Sequence, residues 1–175
     1  MERFTKLRRQ FVAAFLYCLQ VAVVTLVIIL FVGRVSIVQG GSMEPSIVTG
    51  ERILVNLLVY DFYQPRRGDV IVFKNPHDTS KDYIKRVIAL PAETVEILDG
   101  ATYVNGKKLD EPFVTHRDPG RAPVKITLKP DELFVMGDNR ANSEDSRLWG
   151  PLPLRLVRGK ASVVFWPPER AAFIP

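Results

Sequence analysis

Asp82-Tyr83-Ile84-Lys85-Arg86-Val87-Ile88-Ala89 is the stretch on which the reading of this 175-residue chain turns. It is β-branched and aromatic, and Pro91 ends it one residue after Leu90, so it reads as a buried strand. Side chains two apart in a strand share a face. Tyr83, Lys85 and Val87 therefore point one way, and Ile84, Arg86 and Ile88 the other. A lysine in such a strand either reaches out to water along its own stem or stays in an apolar setting that lowers its pKa and makes it a base.

The segments on either side read as more strands and turns. Val35–Val38 is a short strand running into Gly40-Gly41, and Arg52–Tyr60 is apolar enough for another. Pro65–Asp69 is a turn, followed by the strand Val70–Lys74, which Asn75-Pro76 stops. Glu93–Leu98 and Thr102–Val104 flank Asp99-Gly100, a hairpin signal. Lys125–Leu128, Leu133–Met136 and Ala161–Phe165 complete the set, and Asp110–Pro123 reads as a polar surface loop. Short strands punctuated by 13 prolines and 11 glycines predict a mainly β fold, a sandwich or coiled sheet, with no internal repeat. The length fits one folded domain plus attachments.

The N-terminus is different in kind. Phe11–Val32 carries no charge and is long enough, at about 1.5 Å per residue, to cross a hydrocarbon core of about 30 Å. Four basic residues precede it. The positive-inside rule then places residues 1–10 as a basic cytoplasmic tail, residues 11–32 as a transmembrane helix and residues 33–175 as an extracytoplasmic β-rich domain. The run is longer than the apolar region of a cleaved signal peptide, and no Ala-x-Ala follows it. Ten residues separate Val32 from Ser42 and reach at most roughly 33–36 Å when extended, so Ser42 is expected to work close to the outer membrane surface.

Composition excludes several classes. The net charge of +5 suggests nucleic acid, but residues 1–34 hold five basic groups and one acid, leaving the rest close to neutral. No surface stripe for phosphates is expected. Cys18 alone rules out an internal disulfide, and with only His77 and His116 there are too few ligands for a common zinc site.

Two further segments carry polar side chains that chemistry can use. Gly40-Gly41-Ser42-Met43-Glu44-Pro45 puts a serine after two glycines, in a turn that exposes a side chain and offers backbone N–H groups to an oxyanion. Gly137-Asp138-Asn139-Arg140 with Ser143, Asp145 and Arg147 is a polar turn after an apolar strand. In it Ser143 can orient a neutral lysine amine, and Asp145 and Arg147 can pair bidentately. Each segment alone also fits a plain structured turn. Together they describe a serine activated by a lysine.

The combination resembles bacterial type I signal peptidase, a membrane-bound Ser/Lys endopeptidase. Four blocks occur in family order: Ser42-Met43-x-Pro45, Arg67-Gly68-Asp69-Val70-Ile71-Val72-Phe73, Tyr83-Ile84-Lys85-Arg86-Val87-Ile88, and Gly137-Asp138-Asn139-Arg140 with Ser143, Asp145, Ser146 and Arg147. The resemblance implies a coiled β-sheet catalytic domain on a single membrane anchor, cleaving signal peptides from exported preproteins after small residues of the Ala-x-Ala type. It implies Ser42 as nucleophile and Lys85 as general base, with Ser143, Asp145 and Arg147 in support. Val38, Gly40, Met43, Tyr83 and Ile84 would lie along the substrate. It implies no metal or cofactor, names preprotein signal peptides and the lipid bilayer as partners, and leaves the oligomeric state open. The mitochondrial inner-membrane peptidase uses the same pair. Self-cleaving repressors do so too, but the membrane segment disfavours them, and a β binding module with a degenerate site would not be expected to keep Ser42, Lys85, Ser143 and Asp145 together.

Two departures from the family pattern stand out. Gly40 occupies a position where Gram-negative relatives often carry a serine hydroxyl, so only backbone donors can come from it, as in many shorter Gram-positive relatives. The lysine block ends Ala89-Leu90-Pro91-Ala92-Glu93, where the family has Gly-x-Pro-Gly-Asp. Alanine resists positive φ, so an altered backbone is expected there.

Overall fold

A long helix precedes a set of antiparallel strands. In the computed structural model, which describes residues 2–31, 33–116 and 122–174, α1 spans Glu2–Phe31 and β1 follows at Gly33–Ile37. The bounds Met1 and Val32 of the expected tail and membrane segment, and residues 117–121 of the expected polar loop, lie outside the described residues. Residues 2–10 of the expected basic tail are helical and continuous with the expected membrane segment. Its stretch Leu7–Leu26 is long and apolar enough to cross a membrane and is buried against nothing in the protein.

The remaining elements are β2 (Arg52–Asn56), α2 (Val59–Phe62), β3 (Val70–Lys74), β4 (Asp82–Ala89), β5 (Thr94–Leu98), β6 (Ala101–Val104), β7 (Lys107–Lys108), β8 (Val124–Thr127), β9 (Glu132–Met136), α3 (Ser146–Trp149), β10 (Leu152–Pro153), β11 (Val157–Trp166) and β12 (Ala172–Phe173). One sheet has the order β1-β2-β11-β3-β4-β9-β10, with β12 against β11, and a smaller one the order β7-β6-β5-β8. Neighbouring strands are antiparallel throughout. The fold is mainly β, with the larger sheet curled on itself.

The alternation of β3 explains the curl. Val70 and Val72 face a cluster with Val38, Met43, Ile47, Ile53, Val55, Ala161 and Val164, while Ile71 and Phe73 face a second with Val87, Leu133, Val135 and Leu152. Both faces of this central strand are dry. A third cluster joins the end of β4 and β9 to the small sheet through Ile88, Phe134, Met136, Val95 and Val104. The register shifts in β11, between Ala161 and Val163 and again between Val164 and Trp166, add local bends to the curled sheet.

Three expectations need correction. The strand expected over Arg52–Tyr60 stops at Asn56, because the Asn56 side-chain oxygen accepts from the N–H groups of Leu58 and Val59 and turns the chain into α2. Ala161–Phe165 is only the second half of a ten-residue strand. Finally, Ala92 does adopt positive φ, at 64°. The turn is held without glycine: the Glu93 carboxylate accepts from Leu90 N at 2.7 Å and, through both of its oxygens, from Arg67 Nη2 at 2.7 and 2.9 Å. Asp99 and Gly100 form the expected hairpin turn, both at positive φ.

Candidate active site

β4 pairs with β3 along Asp82–Arg86, but β9 joins its other edge only from Arg86 onward. The first half of β4 thus presents an open edge. Across from it lies β1, which pairs with β2. Between them runs a cleft of about 910 Å³, whose walls include Val35–Ser42 on one side and Asp82–Lys85 on the other.

Ser42 and Lys85 meet at its floor. The turn after β1 places Gly40 at φ 86°, a conformation that side chains resist, and brings the Ser42 hydroxyl to 2.8 Å from the Lys85 amine. The amine also donates to the Ile84 carbonyl at 2.9 Å, and its charge lies 5.3 Å from the Tyr83 ring centroid, on the strand face the alternation predicts. Lys85 is only 4% exposed. Burial pushes its pKa down to about 8; the Asp145, Glu144 and Asp138 carboxylates pull the other way without cancelling it. A buried amine of this kind is neutral in a useful fraction of molecules near neutral pH.

The polar turn after β9 clamps the serine from behind. Asn139 N–H donates to the Ser42 carbonyl at 3.0 Å, and the Asn139 side-chain amide donates to the Gly41 carbonyl at 3.1 Å. Gly137 has to be glycine, since a Cβ there would stand 2.4 Å from both the Ser42 carbonyl oxygen and the Ser143 hydroxyl oxygen. The Ser143 hydroxyl donates to Asp145. Asp145 also accepts from Gly137 N and from the Arg147 backbone, Nε and Nη2, the last at 2.7 Å. Burial pushes the Asp145 carboxyl up, but Arg147, Ser143 and the Gly137 amide together hold it below its ordinary value. Arg147 then reaches the Arg140 carbonyl at 2.9 Å, which closes the turn.

Of the residues the sequence analysis placed along the substrate, Val38, Gly40, Tyr83 and Ile84 line the cleft. Met43 lies fully buried beneath the serine turn, packed in the cluster with Val38 and Ile47. Gly137 and Asn139 belong to the polar turn read from the sequence, whereas Asn142 and Glu144 carried no role there. Asn142 and Glu144 line the cleft mouth, with the Tyr83 hydroxyl 3.4 Å from the Glu144 carboxylate. The expected polar loop is not merely surface either: Glu111 binds the Arg140 fork at 2.6 and 3.1 Å, and Phe113 stacks 4.2 Å from the Arg86 guanidinium. For Asn139 the signal was its place in the Gly137-Asp138-Asn139-Arg140 turn, where an asparagine can bond backbone groups and fix the chain.

The block Arg67-Gly68-Asp69 serves the frame. Asp69 accepts from Tyr60, from the Arg66 backbone and from Lys160 at 2.6 Å, and Gly68 accepts from Arg86.

The sequence pattern of the family described as "Signal peptidase, peptidase S26" matches residues 8–166. The chain belongs to that family. Among similar proteins, "Probable signal peptidase I-1" of Synechocystis is 38% identical over 170 residues, covering 92% of this chain and 86% of its own. "Signal peptidase I" of Bacillus caldolyticus is 39% identical over 158 residues, covering 82% and 85%. The crystal structure of a signal peptidase I from Enterococcus faecalis superposes with a TM-score of 0.50 at 31% identity, covering 57% of this chain and 98% of that one. This family member is therefore a peptidase of the signal peptidase I type, an enzyme class whose reaction removes signal peptides from preproteins.

Proposed function

We propose that this signal peptidase is a membrane-anchored serine endopeptidase that cleaves after small residues of the Ala-x-Ala type, with Ser42 as nucleophile and Lys85 as general base. The observation that carries this reading is the 2.8 Å contact between the Ser42 hydroxyl and a buried amine whose pKa is pushed down to about 8. An exposed lysine, ordinarily near 10.4, would be almost wholly protonated and would have no lone pair for the serine proton.

The signal peptide lies extended in the cleft and adds a strand to the open edge of β4, opposite β1, so backbone groups align it and side-chain pockets select it. Lys85 takes the Ser42 proton as Oγ attacks the scissile carbonyl. The resulting oxyanion is stabilised by backbone N–H groups of the Gly40–Ser42 turn. The Lys85 ammonium returns the proton to the departing amine, leaving an ester on Ser42. Lys85 then takes a proton from water as its oxygen attacks the ester, and gives that proton to Ser42 Oγ as the new carboxyl end leaves, which restores the hydroxyl and the neutral amine. Ser143, Asp145 and Arg147 keep the turn behind the dyad fixed. Val38, Gly40, Tyr83 and Ile84 shape the substrate path, and Met43 supports the serine from below.

The exposed apolar surface of α1 supports anchoring in the bilayer. The basic residues before Phe11 support a cytoplasmic N-terminus, with the β domain on the far side of the plasma membrane. The test is cleavage of a purified preprotein by the detergent-solubilised chain beside Ser42→Ala. Processing that stops with Ser42→Ala and falls steeply when the Ala before the scissile bond becomes Phe supports the reading. Undiminished processing by folded Ser42→Ala removes it. A protease outside intact spheroplasts that spares the β domain and removes an N-terminal tag would reverse the orientation.

A further inference from the structure

The Ser42 turn leaves the sheet at Val38 and returns at Glu51, and its neck is closed by Val38 N–H to Glu51 O and Gly50 N–H to Val38 O, both 2.9 Å. Within it, the Glu51 side chain, 1% exposed, accepts from Val48 N–H at 2.9 Å. Its other oxygen accepts from Arg170 Nε, and Arg170 Nη2 donates to the Pro45 carbonyl at 3.2 Å. Arg170 thus bridges a buried carboxylate at the base of the turn and a carbonyl three residues after the serine. It comes from the C-terminal segment, which is itself fixed by pairing of β12 with β11, by Ile174 N–H to Ser162 O at 3.0 Å, and by Ile174 packing into the same cluster as Met43 and Ile47. A surface recess of about 360 Å³ lies between Ser46 and this segment.

We propose that Arg170 is a positioning residue that, through Glu51 and the Pro45 carbonyl, sets where Ser42 stands relative to Lys85, making the C-terminal segment part of the catalytic apparatus. This rests on the reading of Ser42 and Lys85 as the reacting pair. The physical need is plain. Ser42 sits on a glycine-rich turn, a reaction of this kind loses about a hundredfold for a displacement of about 1 Å, and the turn is held on its β9 side by Asn139 and on this side by Arg170. One guanidinium serves two acceptors in different directions, which a lysine ammonium does less well.

The test uses the full detergent-solubilised chain, a preprotein substrate, and rates expressed per folded molecule from near-ultraviolet circular dichroism. Arg170→Ala is expected to lower kcat about 10- to 100-fold with KM within about twofold; Arg170→Lys should fall between it and the unaltered chain. Ethylguanidinium should restore part of the kcat of Arg170→Ala and none in Ser42→Ala, because half of the Arg170 side chain is open to solvent. If Arg170→Ala folds too poorly, Arg170→Gln and Arg170→Lys carry the same ordering. A kcat per folded molecule equal to the unaltered chain in these variants, or a loss that follows only the unfolded fraction, overturns the proposal. If Ser42→Ala itself turns over substrate, the reading of the reacting pair fails; if Ser42→Ala is dead and Arg170→Ala fully active, only the role of Arg170 fails.

Discussion

Lys85 and Arg86 are neighbours on β4, both are cations and both are buried, at 4% and 2% exposure. Their surroundings differ completely. Arg86 points to the other face of the strand and meets Asp138 through two bonds of 2.8 and 2.7 Å, with a third bond to the Gly68 carbonyl and Phe113 against its plane. Lys85 donates to a hydroxyl and a carbonyl, and no carboxylate among the described residues is within ion-pair distance of it. A buried charge is tolerable only when paired. Arg86 is paired and cannot lose its proton; Lys85 is left to lose its own. One half of the strand therefore spends its buried cation on holding the frame, and the other half keeps its cation available for proton transfer.

If that division is right, substitutions in the two halves should separate chemistry from stability. The largest effect is expected at Lys85. Lys85→Ala and Lys85→Arg should each lower kcat by about 10⁴-fold or more, judged by loss of a proton-transfer partner in other serine hydrolases, while near-ultraviolet circular dichroism stays unchanged. The arginine variant matters most, because it keeps the charge and bulk but never becomes a base. A folded Lys85→Arg chain with ordinary turnover would erase the distinction between the halves.

On the Arg86 side the readout should be stability. Asp138→Asn leaves the guanidinium buried beside a neutral amide and should cost about 3–5 kcal/mol, seen as a lowered denaturant midpoint. Its surviving folded fraction should still process preprotein, with KM and kcat within several-fold. Abolished turnover in a fully folded variant would mean that Asp138 serves the chemistry directly.

Much of this was legible in the chain. β3 and β4 have runs of apolar and β-branched residues that leave little choice, and Ser42 and Lys85 stand in segments that few other functions would need. What sequence could not show depended on long-range partners. Asn56 ends β2 early through its own side chain, but only the folded backbone puts Leu58 and Val59 where it can accept from them. Glu111 and Phe113 look like residues of a solvated loop until Arg140 and Arg86 are placed beside them. Arg170 is distant in sequence from Glu51 and Pro45, and no local pattern links them.

A smaller effect should appear in the pH profile. Activity should rise with pH through about 8, as the Lys85 ammonium loses its proton. The Glu144 carboxylate at the cleft mouth raises that pKa, so Glu144→Gln should lower it and move the rising limb toward acid by a few tenths of a unit. Because Glu144 is open to solvent, the shift should shrink in about 1 M salt. A limb that stays fixed in Glu144→Gln, or moves toward alkali, would mean that the titrating group is not Lys85.

The smallest effect tests the far end of β4, where the strand leaves the frame. Ala92 holds φ at 64°, a conformation that costs an L-residue with a Cβ about 1–2 kcal/mol. Ala92→Gly removes that strain, but it also loosens the unfolded chain, which takes back about 0.4–1 kcal/mol. The net gain should be small and positive, about 0.5–1 kcal/mol, read as a higher denaturant midpoint at unchanged slope. Asn105→Gly, also at positive φ, should gain less, since asparagine tolerates that region and its side chain accepts from Thr94 N–H at 2.9 Å. Neither change should alter kcat or the rising limb, because Ala92 lies beyond the end of β4 and Asn105 in the turn after β6, both away from the cleft. If Ala92→Gly instead slows processing, the strained turn transmits to Lys85 through β4, and the two halves are not independent.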